Sequence, residues 1–181
     1  MKATGIVRRI DDLGRVVIPK EIRRTMRIRE GDPLEIYTSN DGEVIFRKYS
    51  AISEMSENAT QVAEIMHKLA GCPVVIFDRD HVVSVAGVSK KEFNERRVSP
   101  PLEEIMEKRK TFHAVSSDSP NKFFPAEGID RAAIACMPIL SSGDVTGAVA
   151  FLETENKTPL TDLQKSLISA AALFLGKQIE G

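Results

Sequence analysis

The sequence predicts an α+β protein of two folded pieces joined by a helix, and three observations support that prediction. Residues 1–50 carry eleven basic and eight acidic side chains, a net charge of +3, whereas residues 51–181 carry fourteen and eighteen, a net charge of −4. The first piece contains short runs of β-branched residues and a hairpin signal. The second follows the order α-β-β-α-β-β-β-α, which suits one antiparallel sheet with helices on a face.

The bulk composition is that of a globular protein, and we expect it to remain in the cytoplasm. No apolar run reaches the roughly 18 to 20 residues that span a bilayer, and the start Met1-Lys2-Ala3-Thr4 lacks the apolar region of a signal peptide. Cys72 and Cys136 lie in or beside apolar strand patterns, where a thiol behaves as a small hydrophobe. We expect both to be reduced and buried, with a disulfide as the less favoured alternative.

The local elements of the first piece can be assigned in order. Branched apolar side chains at positions 6–10 and 16–18 predict two short strands, and Pro19 ends the second. Because proline suits the start of a helix, we expect a helix through Met26 that ends before Gly31.

A hairpin completes this piece and leaves it too small to fold alone. The turn Asn40-Asp41-Gly42 joins the predicted strands 34–38 and 43–48. About 50 residues with four short strands cannot remove enough apolar surface from water to offset the entropy of the chain. We therefore expect a homodimer.

A helix at coiled-coil spacing is predicted between the two pieces, at residues 51–71. Ser53 suits its N-cap, Gly71 its C-terminal residue, and Pro73 prevents its continuation. One interpretation is a paired rod of roughly 25 Å between two chains. The other is an amphipathic helix that lies on its own domain. The apolar positions that define the spacing are Ile52, Met55, Ala59, Val62, Met66 and Leu69.

The second piece, residues 72–181, predicts a sheet closed by a capped helix. Strands are expected at 73–78, 81–86, 111–116, 132–140 and 145–153, with a helix at 101–109. Thr161 and Gln164 form a capping box for the last helix. Its apolar stripe is either core or a subunit contact, with core preferred, and comprises Leu163, Leu167, Ala171, Phe174 and Leu175.

Positive charge is concentrated at the start of the chain. The first 29 residues hold nine basic side chains against three acidic ones, a local charge of +6 in a protein whose net charge is −1. Such density is typical of a surface that meets nucleic-acid phosphates, although a solvated charged surface is the alternative. Asp11 and Asp12 lie among these arginines, where they either pair with them to fix a loop or only moderate the charge.

The segment Asp12-Leu13-Gly14-Arg15-Val16-Val17-Ile18-Pro19-Lys20-Glu21-Ile22-Arg23-Arg24 resembles the turn and helix of the AbrB-type DNA-binding domain. The resemblance runs from Lys2 to about Tyr49. It implies a swapped-hairpin β-barrel formed by two chains, which binds loosely defined, AT-rich double-stranded DNA. Two-fold symmetry further predicts pseudo-palindromic or repeated sites.

The same resemblance assigns roles to individual basic residues. It places DNA contacts at Arg8, Arg15, Arg23 and Arg24, and arginine suits such contacts because its planar fork spans two acceptors. Lys2, Arg9 and Lys20 are expected to supply attraction to phosphates. Arg27 and Arg29 are expected to be solvated at the helix end.

The second piece resembles a GAF-like sensor domain through Met137-Pro138-Ile139-Leu140, Gly143 and Gly147-Ala148-Val149 and through its topology. This implies a ligand pocket within residues 89–129. The region contains Phe93, Phe112, Phe123 and Phe124, although aromatic residues here are more often part of a core than of a ligand site. The pattern does not identify the small-molecule ligand.

Together the two halves are similar to transcription regulators that activate some late sporulation genes and repress others in the forespore, associated with the nucleoid as dimers or tetramers. The alternative is an antitoxin, because the same N-terminal fold serves antitoxins; about 130 patterned residues after it favour a folded sensor. We expect no catalytic residues and no cofactor. His67, His81 and His113 lack ligand spacing, so no metal site is predicted.

Overall fold

The computed structural model describes residues 2–115 and 121–181, and the chain divides into two compact units, Met1–Tyr49 and Ser50–Gly181. The N-terminal unit contains helix α1 (Lys20–Met26) and strands β1 (Leu34–Thr38) and β2 (Val44–Lys48). Across the described residues, no helix combines the length and the apolar character needed to traverse a lipid bilayer.

Helix α1 and the β1–β2 hairpin form as the sequence predicts. Pro19 precedes the helix, and Arg27 ends it in the left-handed conformation at φ 52°. The strands pair antiparallel, with Ile36 opposite Phe46. The amide of Gly42, at φ 80°, donates to the carbonyl of Ser39 and closes the turn.

The strands predicted at positions 6–10 and 16–18 are wrong for the single chain. No regular secondary structure is assigned to residues 2–10 or 15–19. A strand needs a neighbour to accept and donate its backbone hydrogen bonds, and the hairpin pairs only with itself. Among residues 2–49, Pro19 alone is buried, so this unit has no hydrophobic core of its own.

Ionic contacts of Asp32 connect the end of α1 to the hairpin. One carboxylate oxygen accepts from the amide of Arg29 at 2.8 Å and lies 3.9 Å from Lys48 Nζ. Lys48 Nζ also donates to the carbonyl of Arg27 at 2.6 Å. Arg29, expected to be solvated, is instead half-buried, because its guanidinium also approaches Asp32, with Nη1 at 4.0 Å.

The C-terminal unit is built on a five-stranded antiparallel sheet of order β4-β3-β7-β6-β5. Its strands are β3 (Val74–Asp78), β4 (Val82–Ala86), β5 (Phe112–His113), β6 (Ala133–Ser141) and β7 (Asp144–Leu152). Strand β5 is shorter than predicted, and the last predicted residue, Ser116, lies outside the described residues. The α+β fold class is confirmed.

Helices cover both faces of this sheet rather than one, because neighbouring residues of the central strands point to opposite sides. On one side the core includes Val74 and Ile76, with α2 (Ala51–Glu54), α3 (Ser56–Ala70) and α6 (Asp162–Glu180). On the other it includes Val75 and Phe77, with α4 (Lys90–Phe93), which the sequence did not predict, and α5 (Pro100–Glu107).

The two cysteines lie on opposite faces of the sheet. Cys72 belongs to the core beneath α3 and α6, and Cys136 to the core beneath α5. Both thiols are free and buried, as predicted. Burial raises the pKa of Cys72 to about 12 and raises the pKa of Cys136 as well, so both thiols stay protonated at neutral pH.

The helix predicted at residues 51–71 packs on its own unit along part of its length, and the paired rod between two chains stays a prediction. It is broken at Met55, which separates α2 from α3, and Ser50 rather than Ser53 caps α2. The coiled-coil positions Ile52, Ala59 and Val62 are buried in the core of the unit. These three positions therefore pack on the sheet, as in the alternative interpretation given above, whereas Leu69 is 55% exposed.

Helix α6 has its predicted capping box but a rotated apolar stripe. Thr161 Oγ1 accepts from the Gln164 amide at 3.1 Å, and Gln164 Oε1 accepts from the Thr161 amide at 3.0 Å. Ala171 and Leu175 are buried as expected, whereas Leu163 is 60% exposed and Phe174 48% exposed. The buried side chains of α6 are those that face the sheet. The predicted stripe also includes side chains beside that face, and these are exposed.

A close approach between α6 and β6 gives a first prediction. We expect Gly176→Ala to lower the free energy of unfolding by about 1 to 3 kcal/mol, because the added Cβ would overlap the carbonyl oxygen of Leu140. Helix propensity alone would raise it by about 1 kcal/mol. Urea unfolding followed by circular dichroism measures the change.

The control is Ser166→Ala, at an exposed position on the same helix. This substitution should leave the free energy of unfolding unchanged or raise it slightly. A stabilised Gly176→Ala variant would contradict the close packing of α6 against β6.

Candidate nucleic-acid interface

A compact loop of residues 11–15 presents Arg15. The Asp11 amide donates to the Arg15 carbonyl and the Gly14 amide to the Asp11 carbonyl, each at 3.0 Å. Gly14 adopts φ 74°, which an L side chain would make unfavourable. Arg15 remains exposed, its side chain 69% accessible.

The carboxylate of Asp11 holds this loop together. Its Oδ1 accepts from the amides of Leu13 at 3.0 Å and Arg15 at 2.8 Å, and its Oδ2 accepts from Arg15 Nε at 2.8 Å. Hydrogen bonds from the backbone and side chain of Arg15 lower the pKa of Asp11. Because this pKa is depressed in the folded loop, the pairing is present at neutral pH and is lost only as the pH falls through the folded value.

Helix α1 places three predicted residues next to this loop in sequence. Lys20 and Arg24 are one helical turn apart and share a side of the helix, with Arg23 adjacent. All three are exposed. Arg27 lies beyond them at the helix end, where its backbone conformation and its carbonyl contact with Lys48 give it a structural role.

The remaining predicted residues, Lys2, Arg8 and Arg9, lie in the irregular segment 2–10 and are exposed. The structure therefore presents all seven predicted basic residues to solvent, on three consecutive segments. We call Arg8, Arg15, Arg23 and Arg24 the arginine surface. Within residues 2–115 and 121–181, Arg15 is the member of this set with a carboxylate partner, and the other three form no ion pair.

Unpaired exposed guanidinium groups are suited to bind anions with closely spaced oxygens. Each carries N–H donors in a planar fork that matches a phosphate or the edge of a guanine. Arginines that already paired with carboxylates would have to exchange those contacts on binding. The unpaired guanidinium groups of Arg8, Arg23 and Arg24 are thus available for an external partner, whereas Arg15 also contacts Asp11.

Asp11 is the residue whose role the sequence left open, and the structure decides between the two alternatives: it fixes the loop. Asp12, by contrast, is exposed, and its side chain forms no hydrogen bond or ion pair with the described residues. The four-residue spacing from Asp11 to Arg15 was the available signal, but a loop does not impose the regular geometry that would have made the pairing predictable.

The C-terminal unit contains a cleft in the region predicted for a ligand pocket. Its volume is about 350 Å³, and Ser99, Pro101, Phe123 and Phe124 contribute to its walls. Phe123 is buried and packs edge-on against Phe112, with ring centroids 4.9 Å apart, whereas Phe124 is 42% exposed. Phe93 lies in the core.

Chemistry-bearing side chains are otherwise dispersed. In the part of the chain that the structure describes, no group of three or more His, Cys, Asp or Glu side chains is arranged to hold a metal ion. His67 Nδ1 lies 2.7 Å from the carbonyl oxygen of Cys72, within hydrogen-bond distance, and its ring packs over Gly87. The His67 ring thus connects the end of α3 with Gly87, the residue that follows β4.

Two protein-family models match this chain. Residues 54–180 match the family described as stage V sporulation protein T C-terminal, transcription factor. Residues 7–53 match the family described as antidote-toxin recognition MazE, bacterial antitoxin. The first of these matches covers more than half of the chain.

Individual relatives agree with this division. Stage V sporulation protein T of Bacillus subtilis (strain 168) is 45% identical over 182 aligned residues, 99% of each chain. Transition state regulatory protein AbrB of the same organism is 49% identical over 77 residues, 42% of this chain and 77% of its own length.

The solved structure of a GAF domain/HD domain protein from Geobacter sulfurreducens shares the fold of the C-terminal unit, with a TM-score of 0.54 at 16% identity. It covers 72% of this chain, and the alignment covers 93% of that structure. The predicted AbrB-type and GAF-like halves and the predicted transcription regulator are confirmed. The chain belongs to the stage V sporulation protein T family of transcription factors.

Proposed function

We propose that the arginine surface binds double-stranded DNA and that the protein thereby activates some late sporulation genes and represses others in the cytoplasm of the forespore, associated with the nucleoid. The exposure of Arg8, Arg23 and Arg24 without ion-pair partners is the observation that carries this proposal. It is supported by the 45% identity to stage V sporulation protein T.

Both charge and geometry suit the proposed contact. Neutralising phosphates releases condensed counterions, so the affinity should fall as the salt concentration rises. Lys2, Arg9 and Lys20 add to this attraction without fixing a sequence. Loosely defined AT-rich sites would be selected by groove shape, because a narrow minor groove attracts arginine.

Removing single arginines tests the proposed surface. We expect Arg15→Ala and Arg23→Ala each to weaken binding to an AT-rich duplex by about tenfold or more, and each to make the slope of log K against log salt shallower by about one. Arg15→Lys keeps the charge but loses the fork, so it should recover only part of the affinity. Fluorescence anisotropy across a salt series gives both quantities.

The matched control for this experiment is Lys91→Ala, which removes one exposed positive charge from α4. Its affinity and salt slope should equal those of the unaltered protein. Arginine variants that behave like this control would contradict the proposed surface.

The missing core of the N-terminal unit supports an interleaved homodimer. Ile36, Val44 and Phe46 lie on one side of the hairpin and are exposed in the single chain, as are Val7 and Val17. A second copy can cover these side chains and supply strand partners for the irregular segments. A two-fold assembly also suits pseudo-palindromic or repeated DNA sites.

A second apolar surface supports a tetramer. Helices α3 and α6 pack against each other, and they expose Ile65, Leu69, Leu163, Leu173 and Phe174. Apolar side chains grouped on one helix pair are typical of a subunit interface. We propose that two dimers associate through this helix pair.

Light scattering tests both interfaces. We expect a mass of four 20.0 kDa chains for the unaltered protein. Val44→Asp and Leu173→Asp should each reduce the assembly to two chains, and the double variant to one, because a carboxylate in an apolar interface loses its hydration. Val115→Asp, which alters an exposed valine of the C-terminal unit, should leave four chains. A monomeric unaltered protein at micromolar concentration would contradict both interfaces.

We further propose that the cleft at Phe124 binds a small-molecule signal and that the domain acts without catalysis. Its volume of about 350 Å³ is within the range of small-molecule sites, and its walls combine aromatic rings with polar groups. A ligand regulates DNA binding only if it has different affinities for two arrangements of the assembly.

A single tryptophan can report on this cleft, because the chain contains none. We expect the emission of Phe124→Trp to shift when a binding compound is added from a panel of amino acids, nucleotides and sugar phosphates. Leu140→Trp, which alters a similarly exposed side chain on β6, should not respond. Equal responses of the two variants, or none from either, would contradict the assignment of the cleft.

An antitoxin is the second candidate function, and the match of residues 7–53 to the MazE family favours it. Residues 50–181, however, form a unit with its own sheet and cores rather than an extended tail. Co-purification of a stoichiometric small toxin would support the antitoxin, whereas loss of DNA binding in the arginine variants without such a partner supports the regulator.

A further inference from the structure

The Asp11 carboxylate lies among the residues that carry the proposed DNA contacts, yet its charge is negative like that of DNA. Repulsion between this carboxylate and the phosphates would weaken DNA binding at such a surface. Asp12, its neighbour in the chain, carries the same charge and makes no contact with Arg15. The two aspartates therefore differ in their contacts rather than in their charge.

The contact with Arg15 is directional. Asp11 Oδ2 accepts from Nε, the innermost of the guanidinium nitrogens, at 2.8 Å. This leaves the N–H groups of Nη1 and Nη2 available to a second acceptor. Because Oδ1 is fixed by the amides of Leu13 and Arg15, the carboxylate itself has little freedom to turn.

A side chain held in this way is ordered before it meets DNA. A free arginine loses rotamer freedom when it binds, and a pre-ordered one loses less. A fixed guanidinium plane also accepts fewer arrangements of acceptors, so it distinguishes a base edge or groove shape from a general run of phosphates. The contact should thus affect discrimination more than total affinity.

We propose that Asp11 is a positioning residue that orients the Arg15 guanidinium and so sets the sequence preference of the protein without touching DNA. The proposal rests on the proposed role of the arginine surface. It predicts that removing the Asp11 charge weakens binding to preferred sequences, opposite to the effect expected from charge alone.

Asp11→Asn is the discriminating variant. The asparagine Oδ1 can still accept from the amides of Leu13 and Arg15, so the loop keeps its backbone bonds. Its amide nitrogen replaces the oxygen that accepted from Arg15 Nε, and two donors then face each other. Asp12→Asn removes the same charge and serves as the matched control.

Binding is measured by fluorescence anisotropy on two duplexes of equal length: one enriched from a random library by the unaltered protein, the other its scrambled sequence. We expect Asp11→Asn to reduce the ratio of the two affinities by about tenfold, the loss expected for one good base contact. Asp12→Asn should keep the ratio within about twofold while raising both affinities slightly. Equal behaviour of the two variants would overturn the proposal.

The Arg15→Ala background separates positioning from general damage to the loop. If Asp11 acts through Arg15, adding Asp11→Asn to Arg15→Ala should have no further effect on the ratio. A further loss of the same size as in the unaltered background would overturn the proposal. If the Arg15→Ala variant alone binds both duplexes like the unaltered protein, the arginine surface itself is refuted. The positioning role of Asp11 is then refuted with it.

Discussion

The absence of a hydrophobic core in residues 2–49 is the constraint on which the remaining properties of this protein depend. Pro19 is the single buried residue of that segment, while apolar side chains of the hairpin and of the irregular segments face solvent. In the proposed interleaved dimer, folding of the N-terminal unit and association of two chains are one process. The DNA-binding form would then depend on protein concentration, since oligomers are stabilised by mass action.

The C-terminal unit has the opposite character. Its sheet separates two cores, and glycines at 147 and 176 allow other backbone segments to approach where a Cβ would overlap a carbonyl. Such packing tolerates little change in volume. In the proposed tetramer, association of the C-terminal units would hold the attached N-terminal units of two dimers at a high effective concentration.

The parts of the fold that depend on local chemistry could be predicted from the sequence. The Asn40-Asp41-Gly42 turn, the Thr161–Gln164 capping box and the left-handed Gly71 are all present. Predictions that depended on a distant partner were less accurate. The spacing of Ile52 to Leu69 fits either another helix or a sheet, and Ile52, Ala59 and Val62 pack on the sheet while Leu69 stays exposed. Positions 6–10 have strand composition, but the described part of the same chain supplies no neighbouring strand.

For the candidate site too, the sequence predicted the individual residues but not a contact between them. Its seven basic residues could be selected from composition and resemblance because charged side chains remain at the surface. The pairing of Asp11 with Arg15 could not, because it depends on the backbone conformation at Gly14. That pairing lies entirely within residues 11–15. If Asp11 orients Arg15 as proposed, a change confined to this pentapeptide would alter DNA preference while leaving the proposed subunit interfaces untouched.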